Sequence, residues 1–336
     1  MNDLPPLIDV HAHFVPPCWR TALEQTGHEK PDGMPAIWPW SLESHVKLNQ
    51  ELNITKSYLS ITSPGTHLRD GDNALGRKVA RECNEHAAGV KKEMPDMFGF
   101  WASLPLPDIE GSLAELEYVF DHLNADGIAL ETNCHGRYLG HPDQHPVFTE
   151  LNRRKAIVFI HPTSSCILEH DRSRTAIPLP QYPAPMFEFF FDTARAIINL
   201  FLSGVITKCP DITFIMPHCG GCIAPLIDRF SAFAGLMQNP NIDASVDPAF
   251  VKDRFRNQFY FDMAGLSWPN QIKMILPYTN VERLLYGSDW PATPSAVVKG
   301  MAQAMYDGML KEFESEEQRD AIYSGNAATL IERSLT

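Results

Sequence analysis

Eight short apolar runs, separated by segments of helix length, predict an α/β protein built as a (β/α)8 TIM barrel. Strands that alternate with helices form parallel βαβ units, and buried parallel strands have nearly continuous apolar sequences, such as IVFI at 157–160. Eight strands are also enough to close a sheet around an interior filled by side chains. The structural alternative is an open doubly wound sheet. Such a sheet usually has a glycine-rich turn after its first strand, and this sequence lacks one.

The predicted strands follow one another along the whole chain. They are Leu7–Phe14, Ile54–Ile61, Phe98–Leu106, Gly127–Asn133, Ile157–Pro162, Ile212–Cys219, Phe259–Ala264 and Leu284–Pro291. Several of the intervening segments carry helix signals. Ser41 can cap a helix that begins at Leu42, and Asp108 or Ser112 can cap a helix that runs to about Leu123. No linker or repeat divides the chain, so we expect one barrel domain spanning residues 1–336.

Two segments interrupt the strand–helix alternation and are rich in proline, glycine or tryptophan. Gly27–Trp40 follows the first strand and Thr163–Met186 follows the fifth, so both lie on the side where the strands end. Barrel enzymes place their active sites on that side, and long loops there often form lids or pocket walls. We therefore expect these inserted loops to form the rim of a pocket.

Composition and charge narrow the range of partners. The formal net charge of −13 and the pI near 5.4 argue against nucleic acid and membrane surfaces, because an acidic surface repels phosphate groups. No targeting segment or membrane-length apolar run is visible. Seven irregularly spaced cysteines, including the lone pair Cys219 and Cys222, fit neither a disulfide framework nor a zinc ribbon. We expect a soluble cytoplasmic protein with free thiols.

Potential metal ligands stand at the ends of several predicted strands. His11 and His13 lie two residues apart, so their side chains project from the same face of a strand. His161 ends the fifth strand, His218 the sixth and Asp289 the eighth, each after an apolar run. Any one of them alone is more often a buried histidine or a turn residue than a ligand. Their agreement at one rim of the barrel favours a metal site.

The motifs DVHAHF at 9–14, HP at 161, PHCGG at 217–221 and GSDWP at 287–291 resemble those of the amidohydrolase superfamily. Within it, the chain resembles the decarboxylase branch that contains aminocarboxymuconate-semialdehyde decarboxylase, γ-resorcylate decarboxylase and fungal 6-methylsalicylate decarboxylase. Supporting stretches are ASLPLPD at 102–108 and GNAATLI at 325–331, and the resemblance spans almost the whole chain.

This resemblance implies that His11, His13, His161 and Asp289 hold one divalent metal ion. Zinc is favoured for three imidazoles and a carboxylate, and manganese would also suit the set. Binuclear relatives have a carboxylated lysine at the end of the fourth strand, where this chain has Glu131. A second ion bridged by Glu131 is possible in principle, but the resemblance favours a single one.

The resemblance also assigns roles around the metal. His218 would be a catalytic or substrate-orienting histidine beside the ion rather than a ligand. An arginine at the position of Arg229 reaches the site of a neighbouring subunit in the semialdehyde decarboxylase, which implies a homodimer. Aromatic residues near the rim, of which Phe14 and Trp290 are the leading candidates, would contact a flat substrate ring.

The reaction implied is non-oxidative decarboxylation of a small aromatic carboxylic acid, with 6-methylsalicylate, giving 3-methylphenol and carbon dioxide, as the leading substrate. Asp289 or His218 would deliver a proton to the ring carbon that bears the carboxylate. A metal-dependent hydrolase or hydratase acting on a lactone, amide or enoate would use the same ligands and is the alternative. A second alternative is a binding or structural barrel that has lost its activity. Such a barrel is expected to lack one of the ligands, and none is missing from this sequence.

Overall fold

The computed structural model describes residues 4–169, 172–237 and 239–334. Eight parallel strands pair in chain order and form one sheet. These strands are β1 (Leu7–His13), β2 (Ile54–Ser60), β3 (Phe98–Ser103), β4 (Gly127–Glu131), β5 (Ile157–His161), β6 (Thr213–Met216), β7 (Phe259–Asp262) and β8 (Leu284–Leu285). The predicted eight-stranded α/β barrel is confirmed.

Backbone hydrogen bonds between β1 and the segment after β8 close the barrel. The N–H of Val10 donates to the carbonyl of Tyr286 at 3.1 Å, and the N–H of His13 donates to the carbonyl of Trp290 at 2.7 Å. Between them, the N–H of Asp289 donates to the carbonyl of His11 at 2.8 Å. Closure therefore brings the first and last motifs of the sequence side by side.

Helices surround the sheet and lie mainly between successive strands. They are α1 (Pro17–Thr26), α2 (Leu42–Leu52), α3 (Asn73–Glu93), α4 (Ile109–Asp121), α5 (His145–Arg153), α6 (Glu188–Leu202), α7 (Val205–Lys208), α8 (Ile227–Ala234), α9 (Pro248–Asn257), α10 (Asn270–Ile275), α11 (Ser295–Glu312), α12 (Glu316–Asp320) and α13 (Asn326–Ser334). Ser41 caps α2 as predicted, through a hydrogen bond from Ser44. Of the two predicted caps for α4, the structure has Asp108. None of the helices in the described residues is long and apolar enough to cross a membrane.

All eight predicted strands are longer than the observed ones, and the difference lies mainly at their C-terminal ends. The predicted sixth strand reaches Cys219, but β6 ends at Met216 because Pro217 lacks an N–H and His218 has a φ of 50°. The predicted eighth strand reaches Pro291, but β8 ends at Leu285, and Asp289 has a φ of 58°. Extended backbone cannot continue through residues in the left-handed conformation. His218 and Asp289 therefore lie on short turns just beyond β6 and β8.

The two inserted segments contain short structured elements. Gly27–Trp40 includes a 3-10 turn at Pro31–Gly33, and Thr163–Met186 includes a hairpin of Cys166–Glu169 with Arg172–Thr175; residues 170 and 171 lie outside the described residues. A hydrogen bond of 2.5 Å from the Ser164 hydroxyl to Oδ1 of Asp32 joins the two segments. They form the rim together, as the sequence predicts.

Candidate metal centre and active site

Four side chains predicted as ligands converge at the C-terminal end of the barrel. His11 and His13 come from β1, His161 from the last position of β5, and Asp289 from the turn after β8. One potential ligand atom from each lies within 4.8 Å of all the others. The three histidines are almost fully buried, while 18% of the Asp289 side chain is exposed, so the centre opens to solvent on the aspartate side.

The distances within this group fit a bound cation. Nε2 of His11 lies 3.1 Å from Nε2 of His13, and these atoms lie 3.5 and 3.2 Å from the same oxygen, Oδ1 of Asp289. Two imidazole nitrogens and one carboxylate oxygen thus surround a single buried position. Imidazole and carboxylate donors in this number suit zinc and related divalent ions.

The outward-facing nitrogens of the two β1 histidines have partners. Nδ1 of His11 lies 2.9 Å from Oδ2 of Asp262, the last residue of β7, and Nδ1 of His13 lies 2.9 Å from Oγ of Ser60, the last residue of β2. When Nδ1 carries the proton and donates outward, the Nε2 lone pair is directed into the centre. The barrel strands therefore supply both the potential ligands and the groups that orient them.

The pKa shifts of three of the four groups suit metal binding, which needs neutral imidazoles and an ionised carboxylate, and His11 is the exception. Burial lowers the pKa of His13, and burial together with the neighbouring histidines lowers that of His161 well below its ordinary value. Burial alone would disfavour ionised Asp289, but the neighbouring His13, His218 and His11 hold its pKa well below the ordinary range. Burial likewise opposes a charge on His11, yet Asp262 and other carboxylates raise its pKa overall.

Glu131 ends β4 and faces His161. Its Oε2 lies 3.4 Å from Nδ1 of His161. Burial, and then the negative charges of Asp32 and Asp192, raise the pKa of Glu131 well above its usual value. A cation held beside His161 would offset this cost of a buried negative charge.

His218 lies next to the group but contacts a different atom. Its Nε2 is 3.7 Å from Oδ2 of Asp289, whereas His11 and His13 face Oδ1. Its backbone N–H donates to Oδ1 of Asp262 at 3.0 Å, which fixes the turn after β6, and its ring lies 5.4 Å from that of Phe190. Its side chain is therefore held at the edge of the centre, where a bound molecule would meet it.

A cavity of about 240 Å³ adjoins the centre on the side of β2 to β5. Glu131 and Thr163 line it, which connects it to His161. Its wall is largely polar and includes the imidazoles of His28, His67 and His135 together with residues of both inserted segments. The inserted segments thus form part of a pocket wall beside the potential ligands.

Other residues singled out from the sequence lie elsewhere. Phe14 and Trp290 are 2% and 7% exposed and pack into the core, where Phe14 contacts Trp40 and Trp290 contacts His45; neither lines the cavity. Arg229 is exposed on α8, with its guanidinium 5.7 Å from the ring of Phe233. The structure therefore does not bring these three side chains to the potential ligands within one chain.

Sequence reasoning missed Asp262 and Ser60 as parts of the site. Both end barrel strands, and the signal was present: Asp262 is a carboxylate after the apolar run FYF, the same pattern that singled out Asp289. Ser60 gave no such signal, because a serine at a strand end is common in any barrel.

Comparison with known proteins agrees with this architecture. The chain belongs to the amidohydrolase family, whose sequence model matches residues 8–333. It is also similar in fold to a crystal structure of an amidohydrolase II, with a TM-score of 0.83 and 30% sequence identity, covering 97% of this chain and 99% of that one.

Several named relatives are decarboxylases, and a more distant one, 23% identical over 358 residues, is a 2-keto-4-carboxy-3-hexenedioate hydratase from Sphingobium sp.. The chain is 34% identical over 334 residues to 6-methylsalicylic acid decarboxylase from Penicillium expansum, covering 97% of this chain and 96% of that protein. It is 36% identical over 319 residues to the 6-methylsalicylic acid decarboxylase of Aspergillus aculeatus, covering 91% and 92%. A 2-amino-3-carboxymuconate-6-semialdehyde decarboxylase from Dictyostelium discoideum is 28% identical over 254 residues, 75% of this chain and 66% of that protein. The predicted branch and the enzyme class, carboxy-lyase, are confirmed.

Several solved neighbours contain manganese. A dihydroxybenzoic acid decarboxylase from Polaromonas sp., crystallised with manganese and an inhibitor, superposes with a TM-score of 0.77 at 20% identity, covering 98% of this chain and 97% of that one. At this identity the likeness shows the shared fold.

Proposed function

We propose that this protein is a metal-dependent, non-oxidative decarboxylase of a small hydroxybenzoate. The convergence of His11, His13, His161 and Asp289 within 4.8 Å of one another carries the proposal, because it supplies a complete ligand set for one divalent ion. Similarity to two 6-methylsalicylic acid decarboxylases supports the reaction class. It also makes 6-methylsalicylate the leading substrate, with 3-methylphenol and carbon dioxide as products.

A divalent ion bound here supplies Lewis-acid chemistry to a carboxylate and an adjacent hydroxyl of the substrate and holds the ring in one orientation. Oδ1 of Asp289 faces His11 and His13, whereas Oδ2 faces His218 on the side that is open to solvent. Its pKa is held well below the ordinary range, so Asp289 is ionised before substrate arrives, and it would accept the hydroxyl proton if a bound ion lowered the pKa of that hydroxyl as well.

The proton is then delivered to the ring carbon that bears the carboxylate, by Asp289 or by His218. A carbon–hydrogen bond forms there, the bond to the carboxylate carbon breaks, and its electron pair returns to the ring as carbon dioxide leaves. Transfer of this kind from a positioned side chain contributes about a hundredfold to ten-thousandfold to a rate.

The deciding experiment is a screen of hydroxybenzoates with the purified protein loaded separately with zinc and with manganese. Carbon dioxide release is measured together with chromatography of the phenolic products. We expect 6-methylsalicylate to be converted to 3-methylphenol, and the chelator-treated protein to be inactive until metal is restored. If no acid loses carbon dioxide but lactones, amides or enoates are hydrolysed or hydrated, the decarboxylase proposal fails.

Zinc is our proposal for the ion, with manganese as the second choice, because the donor set suits both. Metal analysis of protein expressed without added metal would decide between them.

A cytoplasmic location is proposed because all seven cysteines are free thiols. We also propose that residues 1–336 form one domain, since the strands of the barrel are contributed by both ends of the sequence.

A homodimer is proposed through the face that carries Arg229. This arginine borders a shallow apolar groove with Ile198, Leu226, Phe230 and Phe233, and Leu236 nearby in sequence is 68% exposed. Sedimentation velocity should give twice the monomer mass, and Phe233→Asp should shift the protein towards monomer. A monomeric unmutated protein with full activity contradicts this part of the proposal.

A further inference from the structure

Glu131 and His161 occupy matching positions on neighbouring strands. Glu131 is the last residue of β4, His161 is the last residue of β5, and the two are paired in the register of the parallel sheet. Their side chains meet with Oε2 of Glu131 3.4 Å from Nδ1 of His161. Both atoms are buried, and neither has a hydrogen-bond partner among the described residues.

The other two histidines of the candidate centre each have a partner for the outward-facing ring nitrogen, whereas Nδ1 of His161 has no hydrogen-bond partner among the described residues. His11 has Asp262 and His13 has Ser60 at 2.9 Å from the outward-facing nitrogen. A metal-binding histidine almost always donates its second ring N–H to such a partner, which fixes the ring and raises its basicity as a ligand. Glu131 is the residue in the described structure whose unpaired oxygen is placed to do this for His161.

The surroundings hold Glu131 in this position. Gly65, with a φ of 79°, lies against it, and a Cβ at that position would come within 2.9 Å of Cγ of Glu131. The backbone on either side is fixed as well, since the N–H of Thr132 donates to the carbonyl of His161 at 2.9 Å and the N–H of Thr163 donates to Oγ1 of Thr132 at 3.1 Å. The absence of a side chain at Gly65 therefore leaves room for Glu131 beside the imidazole, and the backbone hydrogen bonds fix the strand ends from which the two side chains extend.

We propose that Glu131 is the positioning residue for His161: its carboxyl oxygen accepts the Nδ1–H of His161 and directs Nε2 of that ring towards the metal. The gap of 3.4 Å closes to a hydrogen bond with a shift of a few tenths of an ångström. This inference rests on the proposed metal centre, but it concerns ligand orientation and does not depend on which acid is decarboxylated.

The test measures metal affinity rather than turnover. Zinc dissociation constants are determined by competition with a chromophoric chelator for the unmutated protein, Glu131→Gln, Glu131→Ala and His161→Ala. Asp32→Asn is the matched control, because it removes a negative charge near Glu131, keeps an oxygen that can accept from the Ser164 hydroxyl, and does not contact a potential ligand. The melting temperature of each metal-free variant checks that the fold is retained, and the visible spectrum of the cobalt-substituted protein reports ligand geometry.

We expect Glu131→Gln and Glu131→Ala to weaken zinc binding by about 10- to 100-fold and to alter the cobalt spectrum. The metal-free melting temperatures and the affinity of Asp32→Asn should stay close to those of the unmutated protein. Unchanged affinity in both Glu131 variants overturns the inference. So does an equal loss in Asp32→Asn, which would indicate a general effect of charge.

Three further outcomes have distinct meanings for this inference and for the proposed function. A loss in Glu131→Gln as complete as in His161→Ala would make Glu131 a ligand itself and overturn the positioning role. If the unmutated protein binds neither zinc nor manganese, the proposed metal centre fails and the inference falls with it. If the unmutated protein binds metal but decarboxylates none of the hydroxybenzoates tested, only the proposed function fails.

Discussion

The carboxylate of Asp262 contacts both the His11 ring and the backbone of the turn that carries His218. Oδ2 lies 2.9 Å from Nδ1 of His11, and Oδ1 accepts the backbone N–H groups of His218 and Ala264, each at 3.0 Å. Burial opposes its ionisation, but the neighbouring charge and hydrogen bond of His11 lower its pKa. The position of the potential ligand and that of the potential proton donor are thus coupled through a single side chain.

His218→Asn should retain the metal and lose turnover. Nε2 of His218 faces Oδ2 of Asp289 from 3.7 Å and lies outside the four-residue group, so metal content by atomic absorption should equal that of the unmutated protein. Asparagine also tolerates the φ of 50° at this position. We expect kcat to fall by about a hundredfold or more. His11→Ala is the comparison, and it should lose metal as well; loss of metal in His218→Asn would make His218 a ligand.

His45 should make the protein less stable as the pH falls. It is fully buried on α2, Nδ1 accepts from Nε1 of Trp40 at 3.2 Å, and burial lowers its pKa to about 3. Below about pH 6.5 the unfolded chain binds a proton that the folded protein cannot take up, so about 1.4 kcal/mol is lost per pH unit until the pH approaches 3.

The check is urea unfolding at pH 7.5 and at pH 5.5 for the unmutated protein, His45→Leu and the exposed control His122→Gln. His45→Leu should lose about 1.4 kcal/mol less between the two conditions than the other two proteins. An equal loss in all three proteins would show that His45 does not remain neutral in the folded state.

At the level of elements, the site depends on the contact between the two inserted segments. Oδ1 of Asp32 accepts a hydrogen bond from the Ser164 hydroxyl at 2.5 Å, and Oδ2 of Asp32 is buried without a partner among the described residues. Nearby, the hydroxyl groups of Ser63 and Thr163 lie 2.6 Å apart and connect the loop after β2 to the loop after β5. The rim is therefore held together by a few buried polar contacts rather than by apolar packing alone.

Ser164→Ala should destabilise the protein by about 1–3 kcal/mol, because it removes the partner of a buried carboxyl group. Ser295→Ala, an exposed serine at the start of α11, serves as the control and should change the free energy of unfolding by less than about 0.5 kcal/mol. Both values come from urea unfolding. A neutral effect of Ser164→Ala would show that Asp32 finds another partner or water.

At the level of the whole molecule, two apolar layers support the site. Inside the barrel lies a cluster formed by inward-facing residues, among them Val10, Trp101, Phe159 and Ile215, and the ring of Phe159 lies 4.9 Å from that of His11. Outside the barrel, helices pack on the sheet through a second cluster. The candidate metal centre thus lies at the end of a packed apolar interior.

Phe201→Ala should cost about 3–5 kcal/mol in the free energy of unfolding. Phe201 on α6 is fully buried, and its ring lies 5.6 Å from that of Phe259 on β7 and 5.7 Å from that of Phe255 on α9, so its loss leaves a cavity between the helices and the barrel. Leu310→Ala, at a site that is 48% exposed, is the control and should cost far less. Similar losses in the two variants would mean that this layer repacks around the cavity.

The sequence by itself determined the order of the strands, the fold class and the chain positions of the polar residues that end the strands. Periodicity and composition are local properties, and the parallel barrel follows from them because apolar strands alternating with helices have few other ways to bury their surface. The caps at Ser41 and Asp108 were predictable for the same reason, since a cap depends on residues within one turn of the helix.

Only the tertiary structure decided which side chains meet. The hydrogen bonds that join β1 to Asp289 and Trp290, the carboxylate of Asp262 behind His11 and the approach of Glu131 to His161 all link residues far apart in the chain. The same is true of the polar cavity wall and of the burial of Phe14 and Trp290 in the core. Strand register and loop packing set these contacts, and both depend on the closed barrel rather than on any local segment.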